Sequence, residues 1–202
     1  MPLVDNAIYV EGIRTETPGS LDETFELIQG RRGMAWIGLY RPDDAEVDAV
    51  AAEFDLHHLA VEDARNGHQR AKLERFGETL FVVLRPARYL PTDDRVEFGE
   101  LHMFLGPGFV VTIRHAESPD LGAVRRRLED DPDRLALGPQ AILHAVLDQV
   151  VDEYGPVMVE LQRDIDEIED ELFGEHADVS RRIYELLREV IAFQRAVQPL
   201  VG

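Results

Sequence analysis

The feature that most constrains the fold is the last third of the chain, Gly138–Pro199. From Leu143 onward, large apolar residues recur at steps that alternate between four and three, which places them on one stripe of a long helix. Most positions between them are acidic. The pattern breaks at residues 174–178 and resumes at Val179. It predicts two long antiparallel helices joined by a tight loop, an αα-hairpin.

Pro156 lies inside the first of these two helices. Proline has no backbone N–H, and its ring clashes with the preceding turn of a helix. We therefore expect the helix to bend near Gly155 and Pro156.

The formal net charge of the chain is −19, which restricts its partners. Nucleic-acid binding needs clustered Lys and Arg to displace counterions, so such an acidic chain is expected to repel nucleic acid and anionic lipid surfaces. It would instead attract cations, including divalent metals. An acidic surface that serves solubility explains the same charge. The sequence contains no cysteine, which excludes disulfides and thiolate metal sites.

Residues before the helical hairpin alternate between strand and helix patterns. This predicts a mixed α/β unit in which helices cover both faces of a sheet. The predicted strands are Ala7–Ile13, Met34–Tyr40, Thr79–Arg85, Val96–Leu105 and Phe109–Arg114, the last two forming a hairpin about Gly106-Pro107-Gly108. One predicted helix begins after Ser20, which forms a capping box with Glu23, and a second begins after Pro42. A third runs from about His57 to Asn66, and a fourth from Pro119 to about Leu128. Gly30–Gly33 and Asp131–Asp133 are predicted turns.

Catalytic motifs are absent from the sequence: it has no phosphate-binding loop, no Gly-x-Ser-x-Gly elbow and no His-Glu-x-x-His. We therefore do not expect an enzyme. His58 and Glu62 lie four apart on one helix, but this isolated pair is better interpreted as surface. Asp164-x-Asp166 is likewise interpreted as a solvated helix face rather than a cation site.

Glu62 and Asp63 are adjacent carboxylates near the end of a predicted helix, where the helix dipole disfavours negative charge. Arg65, Arg70 or Lys72 could offset this charge, and residue types alone favour that interpretation. A hard divalent cation such as Mg²⁺ could offset it as well, because Mg²⁺ prefers oxygen ligands.

Two blocks of the sequence resemble one family. Glu62-Asp63-x-x-Asn66-x-x-Gln69-Arg70-x-Lys72-x-Glu74 is similar to the signature of the cytoplasmic domain of the CorA magnesium and cobalt channels. Leu147-Asp148-x-x-Val151-Asp152-x-Tyr154, followed by Ile165-Asp166-x-x-Glu169 and Pro199-Leu200, resembles the long acidic hairpin of that family. The similarity covers nearly the whole chain in the same order. Ala71 departs from the pattern, which usually has proline there.

The resemblance implies an α/β/α sandwich with a mixed sheet at residues 1–136, followed by a long antiparallel helical hairpin at residues 137–202. It implies a homopentamer beneath a membrane pore, with Mg²⁺ (or Co²⁺) bound between subunits to keep the channel closed. The metal ligands would be Glu62 and Asp63, with Asp148 nearby. We expect the chain to lie on the cytoplasmic side of the cell membrane and to reach the bilayer only through helices beyond Gly202.

Two other functions stay open at this point. A zinc transporter of the same superfamily shares the general shape of this domain, although an oxygen-only site and the lack of cysteine favour Mg²⁺ and Co²⁺. A free-standing soluble regulator could reuse the domain without a pore. An enzyme is the weakest alternative.

Overall fold

The computed structural model describes residues 3–29, 33–67, 69–172 and 179–200. Strands in these residues are β1 (Leu3–Val10), β2 (Ile13–Glu16), β3 (Met34–Tyr40), β4 (Lys72–Phe76), β5 (Thr79–Leu84), β6 (Ala87–Leu90), β7 (Arg95–Phe98), β8 (Leu101–Gly106) and β9 (Phe109–Arg114). Seven of them form one sheet in the order β2-β1-β3-β9-β8-β5-β4, and β6 pairs with β7 in a separate ribbon. The sheet is mixed, because β3 and β9 are parallel while β8 and β9 are antiparallel.

Helices cover both faces of the sheet, as predicted. On one face α1 (Leu21–Gln29), α2 (Asp44–Glu53) and α3 (His58–Asn66) pack on Ala35, Ile37 and Leu39 of β3. On the opposite face α4 (Leu121–Glu129), α5 (Pro132–Leu135) and α6 (Pro139–Leu172) pack on Met34 and Trp36. Alternate residues of β3 therefore enter different cores, which explains why this strand is apolar almost throughout.

The predicted helical hairpin is present as α6 and α7 (Val179–Val197). Glu171 of α6 pairs with Arg182 of α7, and Tyr154 lies edge-on to Phe193 with ring centroids 5.5 Å apart. Residues earlier in α6 thus meet residues later in α7, so the two helices are antiparallel. The predicted loop at 174–178 lies outside the described residues. The helix continues through Pro156, and the bend there stays a prediction, as does the division into units at residues 136 and 137.

Two predicted strands are broken in the structure. The predicted strand Ala7–Ile13 turns at Glu11 and Gly12, which have φ of 52° and 78° and form a two-residue hairpin turn. Gly12 is required there for space too, because a Cβ would lie 1.9 Å from the Pro132 carbonyl oxygen. The predicted strand Val96–Leu105 breaks at Gly99, where a Cβ would lie 2.0 Å from Ala116 Cβ.

Other differences are local. Lys72–Phe76, for which no strand is predicted, is an edge strand. The predicted turn at Asp131–Asp133 contains the start of α5, with Asp131 as its N-cap. Ser20 Oγ accepts from Glu23 N as predicted, but the Glu23 carboxylate accepts from Gly19 N rather than completing the box on Ser20. The predicted turn at Gly30–Gly33 lies largely outside the described residues.

A buried arginine connects α4 to the sheet. Arg125 is only 5% exposed, and its Nη1 and Nη2 each donate to the Trp36 carbonyl at 3.2 Å. Its Nε lies 3.1 Å from Asp5 Oδ2, and its Cζ lies 4.1 Å from the Trp36 ring centroid. Nη1 also donates to Tyr9 Oη at 3.2 Å. Removing this guanidinium would take two donors from the Trp36 carbonyl and leave Arg14, 2.8 Å from Asp5 Oδ1, as the arginine that still pairs with Asp5.

We expect Arg125→Met to lower the free energy of unfolding by about 2 kcal/mol, because the hydrogen bonds of a buried guanidinium to Trp36 and Tyr9 are lost together with its ion pair to Asp5. Arg126→Met is the matched control: the adjacent side chain is 70% exposed and lies 3.8 Å from Asp120. Its loss should change stability by less than about 0.5 kcal/mol. Urea denaturation measures both, and equal small losses would contradict the role given to Arg125.

Candidate functional site

Helix α3 carries the first two predicted metal ligands. His57 is its N-cap, and Gly67, with φ of 61°, ends it as the Asn66-Gly67 pair predicts. Ala60, Val61 and Ala64 are buried against the core. Glu62 therefore projects away from the core and is exposed, while Asp63 is half-buried.

Asp63 is paired within its own chain. Lys72 Nζ lies 2.6 Å from Asp63 Oδ2 and 2.8 Å from Glu74 Oε2. Burial alone would lower the pKa of Lys72, but its hydrogen bonds to the two carboxylates outweigh burial and raise it. Of the three basic residues considered for this role, Lys72 takes it, while Arg65 pairs with Asp48. The Glu62 carboxylate makes no ion pair or hydrogen bond within the described part of the chain.

Asp148, the third predicted ligand, is exposed on α6. Since α3 packs on one face of the sheet and α6 on the other, a single chain does not bring Asp148 together with Glu62 and Asp63. Among residues 3–29, 33–67, 69–172 and 179–200, no group of three or more His, Asp or Glu side chains is arranged to hold a metal ion. The ligand set stays a prediction, and it requires more than one chain.

A buried ionic network holds the segment that follows α3. Glu100 is 6% exposed; its Oε1 accepts from Gln69 N at 3.3 Å and from His102 Nε2 at 2.7 Å, and its Oε2 accepts from Arg85 Nη1 at 3.0 Å. Burial alone would raise the pKa of Glu100, but the hydrogen bond to His102 and the other contacts lower it. Burial and neighbouring His102 lower the pKa of His115.

Sequence reasoning missed this network. It placed Glu100 and His102 in one predicted strand, Val96–Leu105, and did not identify them as an ionic network. The available indication was the Gly99-Glu100 pair inside an otherwise apolar-rich strand, since Gly inside a strand pattern marks a break or close approach.

The family model for CorA-like Mg²⁺ transporter protein matches residues 31–201. The chain belongs to this family. The "Putative metal ion transporter YfjQ" of Bacillus subtilis is 30% identical over 166 residues, which are 82% of this chain and 51% of that protein. The cobalt/magnesium transport protein CorA of Thermotoga maritima is 25% identical over 170 residues, covering 82% and 48%. The chain thus spans about half the length of these relatives.

Solved structures agree with the fold. The soluble domain of CorA from Methanocaldococcus jannaschii superposes with a TM-score of 0.72 at 15% identity, over 98% of this chain and 77% of that one. The ZntB cytoplasmic domain from Vibrio parahaemolyticus gives 0.57 at 12% identity, over 83% and 69%. These likenesses establish the α/β/α architecture with its long helix. Within the described residues, no helix combines the length and the apolarity needed to cross a bilayer.

A second acidic region corrects the interpretation of the Asp164-x-Asp166 face. Asp166 is exposed, but Asp164 is only 7% exposed, and its Oδ1 has no hydrogen-bond partner among the described residues. Asp164 lines a cavity of about 270 Å³ together with Asp94 and Glu189. Burial, and then nearby Asp94, raise the pKa of Asp164, and burial raises that of Glu189. The periodic pattern missed this burial because the covering ribbon β6–β7 is distant in sequence.

The raised pKa of Asp164 gives a pH dependence. A carboxyl group with a raised folded-state pKa favours the native state below its unfolded pKa, and this contribution is lost as pH rises through the folded pKa. At pH 7 we expect Asp164→Asn to stabilise the protein by about 1 kcal/mol, because it removes a buried charge with an unpaired oxygen. The gain should shrink as pH falls through the raised folded-state pKa, because the wild-type carboxyl group takes up a proton there.

Chemical denaturation at several pH values measures this effect. Asp152→Asn is the control: Asp152 is exposed on the same helix, and its loss should change stability by less than about 0.5 kcal/mol. If Asp164→Asn is less stable than the wild type at pH 7, the negative charge of Asp164 is already balanced in the native state, and the prediction is wrong.

Proposed function

We propose that this chain is the cytoplasmic, divalent-cation-sensing part of a CorA-like Mg²⁺/Co²⁺ channel in the cell membrane. Mg²⁺ bound at acidic sites between subunits gates the pore of the parent protein. Membership of the CorA-like Mg²⁺ transporter family, whose model spans residues 31–201, carries this proposal. The relatives are named as transporters, and we propose no catalytic role for the chain.

The position of the carboxylates supports a site between subunits. Glu62 and Asp63 lie on one side of the sheet and Asp148 on the other, so a ring of chains can bring the α3 side of one subunit against the α6 side of its neighbour. The parent would then be a homopentamer, as the family resemblance implies. Apolar side chains exposed on the helical hairpin, such as Met158, Val159 and Tyr184, are consistent with burial by further protein.

The mechanism follows from charge. Carboxylates that converge across an interface repel, and a bound Mg²⁺ screens that repulsion and favours the closed, symmetric assembly. When Mg²⁺ falls, the sites empty and the subunits separate. Lys72 competes with the metal, because its ammonium already neutralises Asp63 within one chain.

We expect Asp63→Ala in the full-length parent to weaken Mg²⁺-dependent protection from proteolysis, because a ligand of the sensing site is lost. The Mg²⁺ concentration that gives half-maximal protection should rise about tenfold, because that factor corresponds to the free energy of one charge-assisted contact. Glu78→Ala is the control, since Glu78 is an exposed acid in the β4–β5 turn. Unchanged protection in Asp63→Ala would count against Asp63 as a ligand.

Lys72→Gln should act in the opposite direction. Without the ammonium group, Asp63 and Glu74 lose their internal counter-charge. The Mg²⁺ concentration that gives half-maximal protection should then fall about fivefold, which corresponds to the free energy of a partly exposed ion pair. Arg75→Gln removes the same charge from the same strand without contacting Asp63, and it should leave the protection curve near that of the wild type. If both variants shift the curve equally, Lys72 acts only through net charge.

The pore itself is tested by sequencing the parent reading frame beyond Gly202. Two closely spaced apolar runs of roughly 20 residues, with Gly-Met-Asn after the first, support the channel. A stop codon near Gly202 would instead favour a soluble regulator that senses divalent cations without a pore.

A zinc transporter of the same superfamily is the second candidate, and the likeness to the ZntB cytoplasmic domain supports it at the level of fold. Because one fold serves several metals, the metal must be decided by titration. Protection of the parent protein by Zn²⁺ at concentrations where Mg²⁺ and Co²⁺ have no effect would favour zinc.

A further inference from the structure

Basic side chains almost always have a partner in this acidic protein, which has 21 Lys and Arg residues against 40 Asp and Glu. Within residues 3–29, 33–67, 69–172 and 179–200, only Arg70, Arg75 and Arg195 lack an ion pair, a hydrogen bond and a ring contact. Arg70 and Arg195 line the same cavity, although one follows α3 and the other lies near the end of α7.

This cavity has a volume of about 300 Å³, at the lower end of the range for small-molecule sites. Its walls are Gln69 and Arg70, then Arg85 and Phe98, and Arg195 with two alanines of α7. Among the residues that the structure describes, no acidic side chain lines it. The cavity is therefore a positive concavity in a protein whose net charge is −19.

The wall behind the two arginines is well anchored. Arg85 Nη1 donates to Gln69 O at 3.4 Å and to Glu100 Oε2 at 3.0 Å, and Tyr154 Oη donates to the Arg85 carbonyl at 2.8 Å. Because Glu100 already balances Arg85, the uncompensated charge of the cavity comes from Arg70 and Arg195.

Helix stability explains only one of these cations. Arg195 lies in the last turn of α7, where positive charge complements the helix dipole. Arg70 lies outside any helix or strand and has no such role. Two unpaired guanidinium groups on one cavity repel each other unless an anion lies between them.

We propose that this cavity binds a small phosphate-bearing anion. The planar guanidinium group suits bidentate contact with phosphoryl oxygens, and Phe98 offers an apolar wall for the rest of the ligand. Bound there, the anion connects the segment after α3 to the last turns of α7 and so holds α7 against the rest of the fold. This site is independent of the cation site under Proposed function.

The test is isothermal titration of the chain with inorganic phosphate and with pyrophosphate, in a phosphate-free buffer at constant ionic strength. We expect saturable binding, tighter for pyrophosphate because it carries more charge. The double variant Arg70→Gln/Arg195→Gln should lose about a hundredfold in affinity, about tenfold for each charge-assisted contact. Arg75→Gln is the matched control: Arg75 is exposed and unpaired but lies outside the cavity, and it should bind within twofold of the wild type.

Arg70 and Arg195 are both exposed, so the double variant should fold normally, and its melting temperature without anion should match that of the wild type. The proposal is overturned if the wild type shows no saturable binding, or if the double variant binds as tightly as the wild type. It is also overturned if Arg75→Gln loses as much affinity as the double variant, because binding would then follow overall charge. Self-association that the double variant abolishes, without phosphate binding by the wild type, would assign the cavity to an acidic side chain of a second copy.

Discussion

The structure depends on the burial of both faces of its central strands. Alternate residues of β3 enter two separate cores, so neither α1–α3 nor α4–α6 can be absent without exposing a row of apolar side chains. The long helix α6 is part of this requirement, because Val146, Val150 and Val157 belong to the same core as Trp36. The stripe that predicts a helical hairpin is thus also the surface that attaches this hairpin to the sheet.

Two of the buried polar networks are each centred on one charged side chain. Arg125 joins α4 to Trp36 and Asp5, and Glu100 joins Arg85, His102 and the Gln69 backbone. In both networks one charged side chain satisfies partners from elements that are distant in sequence. The cost of burying these charges is offset only when every partner is in position, so the networks favour a single arrangement of the elements.

Local rules predicted the parts of the fold that local interactions determine. The β8–β9 hairpin, the end of α3 at Gly67 and the α6–α7 pair follow from turn residues and periodicity, and the structure confirms them. The break at Gly99 and the burial of Asp164 could not be predicted in this way, because both arise from segments far away in sequence. Of the candidate site, Glu62, Asp63 and Asp148 came from a family resemblance, and a single chain cannot test a site that needs two.

The surroundings of Asp63 restrict how a cation signal could travel. The segment from Asp63 to Lys72 is held by the Lys72 ion pair at its ends and by Glu100 at Gln69, and Arg85 of the same network accepts from Tyr154 of α6. Tyr154 in turn packs against Phe193 of α7. These contacts tie Asp63 through Lys72 to β4, and Gln69 through Glu100 and Arg85 to α6. Under the proposed function, we expect the motion that opens the parent to occur between chains rather than within the α/β/α core.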